Sequence, residues 1–201
     1  MKTLIVNAFG GPAAGKTTFA WEIASHLKKL SLPVEYVSEY AKELVYEERF
    51  DILDNTMKNQ RLLFEEQKRR IDRLMGKVRV VVTDSPLLLA ALYAKDRTPE
   101  FFNEILGEFN KYDNINFYIK RDENDVYDPI GRKETKEESI DMDNVIYKAL
   151  NENNIDFEVY YRSDIGVSID SIIMQLDDIF DLYDMFDYDY AFENPEILDK
   201  K

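Results

Sequence analysis

The chain contains no cysteine and a single histidine, His26. The first absence excludes a disulfide scaffold, thiolate zinc sites and a cysteine nucleophile, and fits a reducing compartment. The second leaves no histidine-based triad or metal cluster to build, and His26 reads as a surface residue on the first helix. Long apolar runs are missing too. The longest, Leu87 to Ala94, is far shorter than the roughly 20 residues that a membrane helix needs. The opening MKTLIVNAF has one lysine and meets Gly10 without a signal-type cleavage region, so it is expected to be a buried strand of a soluble, cytoplasmic protein with no membrane contact. Positive charge is in deficit, with 26 Lys and Arg against 40 Asp and Glu and a net charge of −14. Such a field repels polyanions and argues against a general nucleic-acid coat protein, although a local basic pocket stays open.

What is present suits one globular core. The 201 residues are 45% hydrophobic and 13% aromatic, without repeats, linkers or low-complexity stretches, and are expected to form a single domain. The segment from Leu176 to Lys201 carries nine acidic residues against two lysines. This tail supplies half of the net negative charge.

Apolar spacing alternates between strand and helix. Strands are expected at Thr3–Val6, Val34–Val37, Val78–Thr83, Phe117–Ile119 and Phe157–Tyr161. Between them lie helical patterns: Phe19 to Leu30, a short one with Tyr40, Leu44 and Val45, and Met57 to Met75 ended by Gly76. Another opens at Thr98-Pro99 as N-cap and first helical residue and carries Phe102, Ile105, Leu106 and Phe109. One more opens at Thr135 and Glu138, at capping-box spacing, and carries Ile140, Val145, Ile146, Ala149 and Leu150. A last helix is expected from Ile169 to Tyr183. Right-handed crossovers between such strands give a parallel five-stranded sheet with helices on both faces, an α/β three-layer sandwich. The polar stretch of about 121–136 is expected to be a lid.

Gly10-Gly11-Pro12-Ala13-Ala14-Gly15-Lys16-Thr17 satisfies G-x-x-x-x-G-K-[ST] between a strand and a helix, the context that gives the motif meaning. At ordinary residue frequencies, about one 200-residue chain in a hundred would match by chance. Glycines let backbone N–H groups turn onto a phosphate, and the helix N-terminus adds its positive dipole end. The cradle is therefore assigned to Gly11, Pro12, Ala13, Ala14, Gly15, Lys16, Thr17 and Thr18, with ATP as the nucleotide. Lys16 would neutralise the β- and γ-phosphates, and the Thr17 hydroxyl would ligate Mg²⁺.

Asp84 follows the third strand, where the acid that holds the metal belongs. Its alternative role is to cap the helix after Ser85-Pro86. Glu39 follows the second strand. It suits either a general base for an acceptor hydroxyl or a first-turn acid favoured by a helix N-terminus. Arg121, Arg132, Lys133 and Lys136 concentrate positive charge in the expected lid, where Arg121 and Arg132 would gather charge on a transferring phosphoryl group. Asn110-Lys111-Tyr112-Asp113 matches the guanine-reading N-K-x-D pattern but precedes a strand instead of following one, and is rejected.

The chain resembles the ribosylnicotinamide-kinase domain of the NadR proteins and the related small P-loop ATPases of bacteria and their phages. The resemblance rests on GGPAAGKTT, VEYVSEYAKELV, TDSPLLLAALY and YDPIGRKETKEES. It implies a kinase-like P-loop fold in a bacterial or phage-infected cell. Mg-ATP would lie on Lys16 and Thr17, with Asp84 near the metal, Glu39 facing the acceptor and Arg132 in the lid. Compared with NadR, no fused adenylyltransferase or DNA-binding region is expected, and the acidic aromatic tail of about 187–201 has no counterpart. The leading function is phosphoryl transfer from ATP to a small nucleoside-like acceptor, with nicotinamide riboside first. The alternatives are a kinase of a modified nucleotide in DNA, and a nucleotide-dependent switch with little turnover whose tail docks a protein partner.

Overall fold

Alternate residues of the first strand supply two separate cores. In the computed structural model, which describes residues 2–121, 135–161, 168 and 170–175, β1 (Leu4–Phe9) is buried throughout. Leu4, Val6 and Ala8 join one apolar cluster, and Ile5 and Phe9 join another on the opposite face. Burial on both faces is the condition of a parallel sheet covered by crossover helices.

The remaining strands are β2 (Val34–Val37), β3 (Val80–Thr83), β4 (Asp113–Ile119) and β5 (Glu158–Tyr160). They form one sheet in the order β2-β3-β1-β4-β5, with all four pairings parallel. The helices are α1 (Lys16–Lys29), α2 (Tyr40–Tyr46), α3 (Met57–Asp72), α4 (Leu88–Tyr93), α5 (Pro99–Phe109) and α6 (Lys136–Glu152). On one face, Phe19, Ile23 and Leu27 of α1 pack with Ile172 from the helical residues 170–175. On the other, Phe64 and Ile71 of α3, Leu88 of α4, Ile105 of α5 and Ile146 of α6 pack together. The result is the expected three-layer α/β sandwich.

Local chemistry fixes several boundaries. Thr98 caps α5 through the Phe101 N–H, with Pro99 in its first turn. Thr135 and Glu138 form both bonds of a capping box at α6. Thr56 caps α3. Four differences from the sequence pattern have physical causes. Strand β4 starts four residues before the expected Phe117, because Asn114 and Asn116 interrupt its apolar run. On the helix-covered face these side chains accept from the Asn7 amide at 2.8 and 3.0 Å, which makes a polar rung inside the sheet. Strand β3 begins at Val80, and the preceding Arg79 N–H bonds to Pro33 instead. Helix α3 ends at Asp72, and Gly76 sits beyond it at φ 75° in the following turn. In α6 the residues Ile140 and Val145 are exposed, whereas the buried stripe is Ser139, Asp143, Ile146, Ala149 and Leu150. No helix among the described residues is long and apolar enough to cross a membrane.

Candidate active site

Strands β1 and β3 are neighbours, but their connections leave in opposite directions, since β1 leads towards the β2 edge and β3 towards β4. In open α/β sheets, ligands bind in the crevice at the carboxyl ends of strands at such a switch point. The loop after β1 and Asp84 after β3 both lie there.

The loop has the backbone that its glycines allow. Gly15 takes φ 94° and ψ 12° immediately before α1, a left-handed conformation that suits glycine. Three helices carry a threonine cap, but no side chain caps α1 and no acid occupies its first turn. Its basic residues sit in the last turn, at His26, Lys28 and Lys29. The charge distribution therefore leaves the positive end of the dipole facing the loop. The Lys16 ammonium reaches back across the loop to the Gly11 carbonyl at 2.8 Å.

Asp84 is the centre of the site. It is 2% exposed. One carboxylate oxygen accepts the Thr17 hydroxyl at 2.6 Å, and the other accepts the Glu39 backbone N–H at 3.0 Å. One buried carboxylate thus joins the helix after β1 to the segment after β2. Tyr36 of β2 feels the Asp84 charge, and its pKa is raised well above the usual phenol range, chiefly by burial and then by that charge. Trp21, edge-on to the Tyr36 ring with centroids 6.2 Å apart, completes this file of side chains.

Glu39 is the N-cap residue of α2 and makes no side-chain cap hydrogen bond, so its carboxylate stands at the helix N-terminus where the dipole favours an acid. Its position is held from α3. The Gln67 amide, itself buried, accepts the Tyr40 N–H at 3.2 Å and donates to the Ser38 carbonyl and to Thr83 Oγ1. Beside it Arg70 binds Glu43 at 2.5 and 2.6 Å and Glu66 at 2.8 Å, and covers the Tyr40 ring at 4.6 Å. Gln60 donates to Asn55, and Arg61 forms a two-pronged pair with Glu104. These contacts secure α3 and its neighbours.

Two residues assigned to the site by sequence are held by side chains of α6. Gly11 belongs by motif to the phosphate cradle, yet its N–H donates to Asp143 of α6 at 2.6 Å. A Cβ at this position would lie 2.5 Å from the Ser139 carbonyl oxygen and 2.8 Å from Asp143 Oδ1, so the glycine is required by the approach of α6. Arg121, expected to gather phosphoryl charge, is bound by the Asp143 carboxylate, the Pro12 carbonyl at 2.5 Å and the Ser139 hydroxyl at 2.6 Å. Arg132, Lys133 and most of the expected lid, and the tail from Leu176 onward, lie outside the described residues. Asp143, Ser139 and Tyr36 were not assigned to the site by sequence. The available signal was polar residues at 139 and 143, four apart on what is otherwise the apolar stripe of α6. The rejected Asn110-to-Asp113 motif leads into the start of β4, at the opposite end of the strands from the loop.

The model of a family described as an AAA domain matches residues 5–165. No curated protein matches. Among solved structures, the chain is similar to a NadR protein in complex with NAD and AMP-PNP, with TM-score 0.59 and 19% identity, covering 85% of this chain and 48% of that one. It is similar to thymidylate kinase from Ehrlichia chaffeensis, with TM-score 0.61 and 16% identity over 88% of this chain and 100% of that one. It is also similar to deoxyadenosine kinase from M. mycoides with bound dATP, at 0.52 and 18%, over 86% and 98% of the two chains. The chain spans about half the length of the NadR protein, and these likenesses establish a fold of the P-loop kinase type.

Proposed function

The chain belongs to this AAA domain family, and on that premise we propose that it is an ATP-dependent phosphotransferase acting on a hydroxyl of a small nucleoside-like acceptor, nicotinamide riboside being the first to test. The observation that carries the proposal is the Asp84 carboxylate, which takes the Thr17 hydroxyl on one oxygen and the Glu39 N–H on the other. A single group thereby sets the distance between the phosphate loop and the carboxylate-bearing segment.

The residues fit Mg-ATP. Among the described residues no three His, Cys, Asp or Glu side chains gather into a metal site. Magnesium in nucleotide enzymes is commonly held by one or two protein oxygens, with phosphates and water completing its octahedron. Thr17 and Asp84 offer that partial set. The ion, when bound, would neutralise charge on the β- and γ-phosphates. Lys16 would supply the second positive charge across the loop. Glu39, held by Asp84 and by Gln67 through its neighbours, would accept the proton of the attacking hydroxyl. That hydroxyl oxygen bonds to the γ-phosphorus as the bond to the β–γ bridging oxygen breaks.

The test is ADP formation from Mg-ATP with a panel of nucleosides, nicotinamide riboside and oligonucleotides, with Lys16→Ala and Glu39→Ala as controls. Stimulation by one small acceptor, with kcat lowered roughly 10²- to 10⁴-fold in Glu39→Ala, supports the proposal. Stimulation by oligonucleotides alone moves the acceptor into DNA. Tight nucleotide binding lost in Lys16→Ala, with no acceptor-dependent turnover, replaces the kinase by a nucleotide-dependent switch.

A further inference from the structure

The first half of the phosphate loop is held from a distant element. Helix α6 begins at Lys136, 120 positions after the loop's Lys16 and 125 after Gly11. Its Asp143 has one carboxylate oxygen on the Gly11 N–H and the other on Arg121 Nε. Its Ser139 hydroxyl donates to the Pro12 carbonyl, which also takes the Arg121 guanidinium. The Gly11 N–H and the Pro12 carbonyl, two of the pair's three backbone polar groups, are therefore fixed by three side chains. Ser139 is fully buried and Asp143 is 8% exposed, so these are bonds made away from water, where an unmade partner is costly. Asp143 spends its backbone as well, since the Tyr118 hydroxyl donates to its carbonyl at 3.2 Å. The helix is thus anchored to β4 at the same residue that holds the loop.

A loop that binds phosphate through backbone N–H groups depends on their common orientation. Fixing the peptide before Ala13 restricts the turn that follows, where Ala13 takes φ 61° and Gly15 φ 94°. Lys16 bonds to the carbonyl of Gly11, so the same clamp also sets the acceptor that aligns the lysine. We infer that Asp143, with Ser139 and Arg121, is a positioning residue that holds the phosphate loop in its nucleotide-receiving conformation from α6. This inference rests on the reading of the loop as a nucleotide-phosphate cradle. It gives Arg121 a structural task on the loop in place of direct contact with phosphate.

The test is calorimetric titration of the whole protein with Mg-ADP, paired with melting of the nucleotide-free protein, for wild type, Lys16→Ala, Asp143→Ala, Asp143→Asn and Ser139→Ala. Asp143→Ala is expected to bind about tenfold or more weakly, the scale of a lost charge-assisted bond. Asp143→Asn keeps an oxygen for the Gly11 N–H and is expected to recover part of that loss. A purely structural role would lower the melting temperature and leave affinity unchanged. A folded Asp143→Ala that binds Mg-ADP like wild type, while Lys16→Ala does not, overturns the inference and leaves the phosphate-cradle reading intact. Should Asp143→Ala fail to fold, wild-type affinity in both Asp143→Asn and Ser139→Ala overturns it. Undiminished binding by Lys16→Ala removes the premise and the inference together.

Discussion

Asp84 and Gly11 show how the motif and its surroundings divide the work. The Asp84 carboxylate is the acceptor for a hydroxyl from α1 and an N–H from the start of α2. Asp84→Asn keeps the shape and removes the charge, so we expect the apparent affinity for magnesium in an ATP-dependent assay to fall by roughly 100-fold. A magnesium titration of the initial rate checks this, and an unchanged half-saturation would remove Asp84 from the metal site. Gly11 answers to packing. Its missing Cβ would meet the Ser139 carbonyl at 2.5 Å, and backbone at that distance cannot move aside as a flexible side chain could. Gly11→Ala is expected to cost about 1–3 kcal/mol in urea unfolding, the range for overpacking. Lys16 and Thr17 were marked in the sequence by the spacing of the motif, and Asp84 by its place after the third strand. The reason for Gly11 was illegible, because the residues that demand it are 128 and 132 positions away.

At the scale of elements, α3 braces the segment that carries Glu39. Gln67→Ala would leave the Tyr40 N–H and the Ser38 carbonyl without their α3 partners. We expect a stability loss of about 1–3 kcal/mol, together with a lower kcat at nearly unchanged KM for ATP. Steady-state kinetics on the folded variant separates the two, and an unchanged kcat would sever Gln67 from the site. The ionic cluster beside it sets a pH dependence. Hydrogen bonds from Arg69 and then Arg70 hold Glu66 at about 2 against an ordinary 4.5, and Arg70 lowers Glu43. Acids depressed in the folded state stabilise it above the unfolded pKa, and that contribution is lost as pH falls through the folded value, here between about 4.5 and about 2. Both side chains retain solvent contact, which reduces the size of the effect. Arg70→Leu should therefore be less stable at about pH 7 and lose less on acidification to about pH 3, as measured by urea unfolding at the two pH values. An equal loss in both proteins would remove the cluster from the acid response. Helix starts were readable in the sequence where threonine caps supply local chemistry, as at Thr98 and Thr135. The beginning of β4 and the facing of α6 were not, because Asn114, Asn116, Ser139 and Asp143 place polar groups where burial patterns expect apolar ones. Each is satisfied by a partner far along the chain.

For the whole molecule, alternating strands and helices sufficed to indicate a parallel five-stranded sheet between helical layers, because burial on both faces leaves few other arrangements. Strand order was not legible, since crossover patterns of equal handedness permit several. The order β2-β3-β1-β4-β5 matters for function, because it places β3 against β1 and so brings Asp84 to the phosphate loop. The central claim is that this crevice transfers a phosphoryl group. The most direct measurement follows the γ-phosphate of isotopically labelled Mg-ATP in the presence of nicotinamide riboside and other nucleosides, resolving phosphorylated acceptor from inorganic phosphate. The account predicts label in an organic acceptor, lost in Lys16→Ala and strongly reduced in Glu39→Ala. Label found in inorganic phosphate alone, or in no product while nucleotide stays bound, would contradict it.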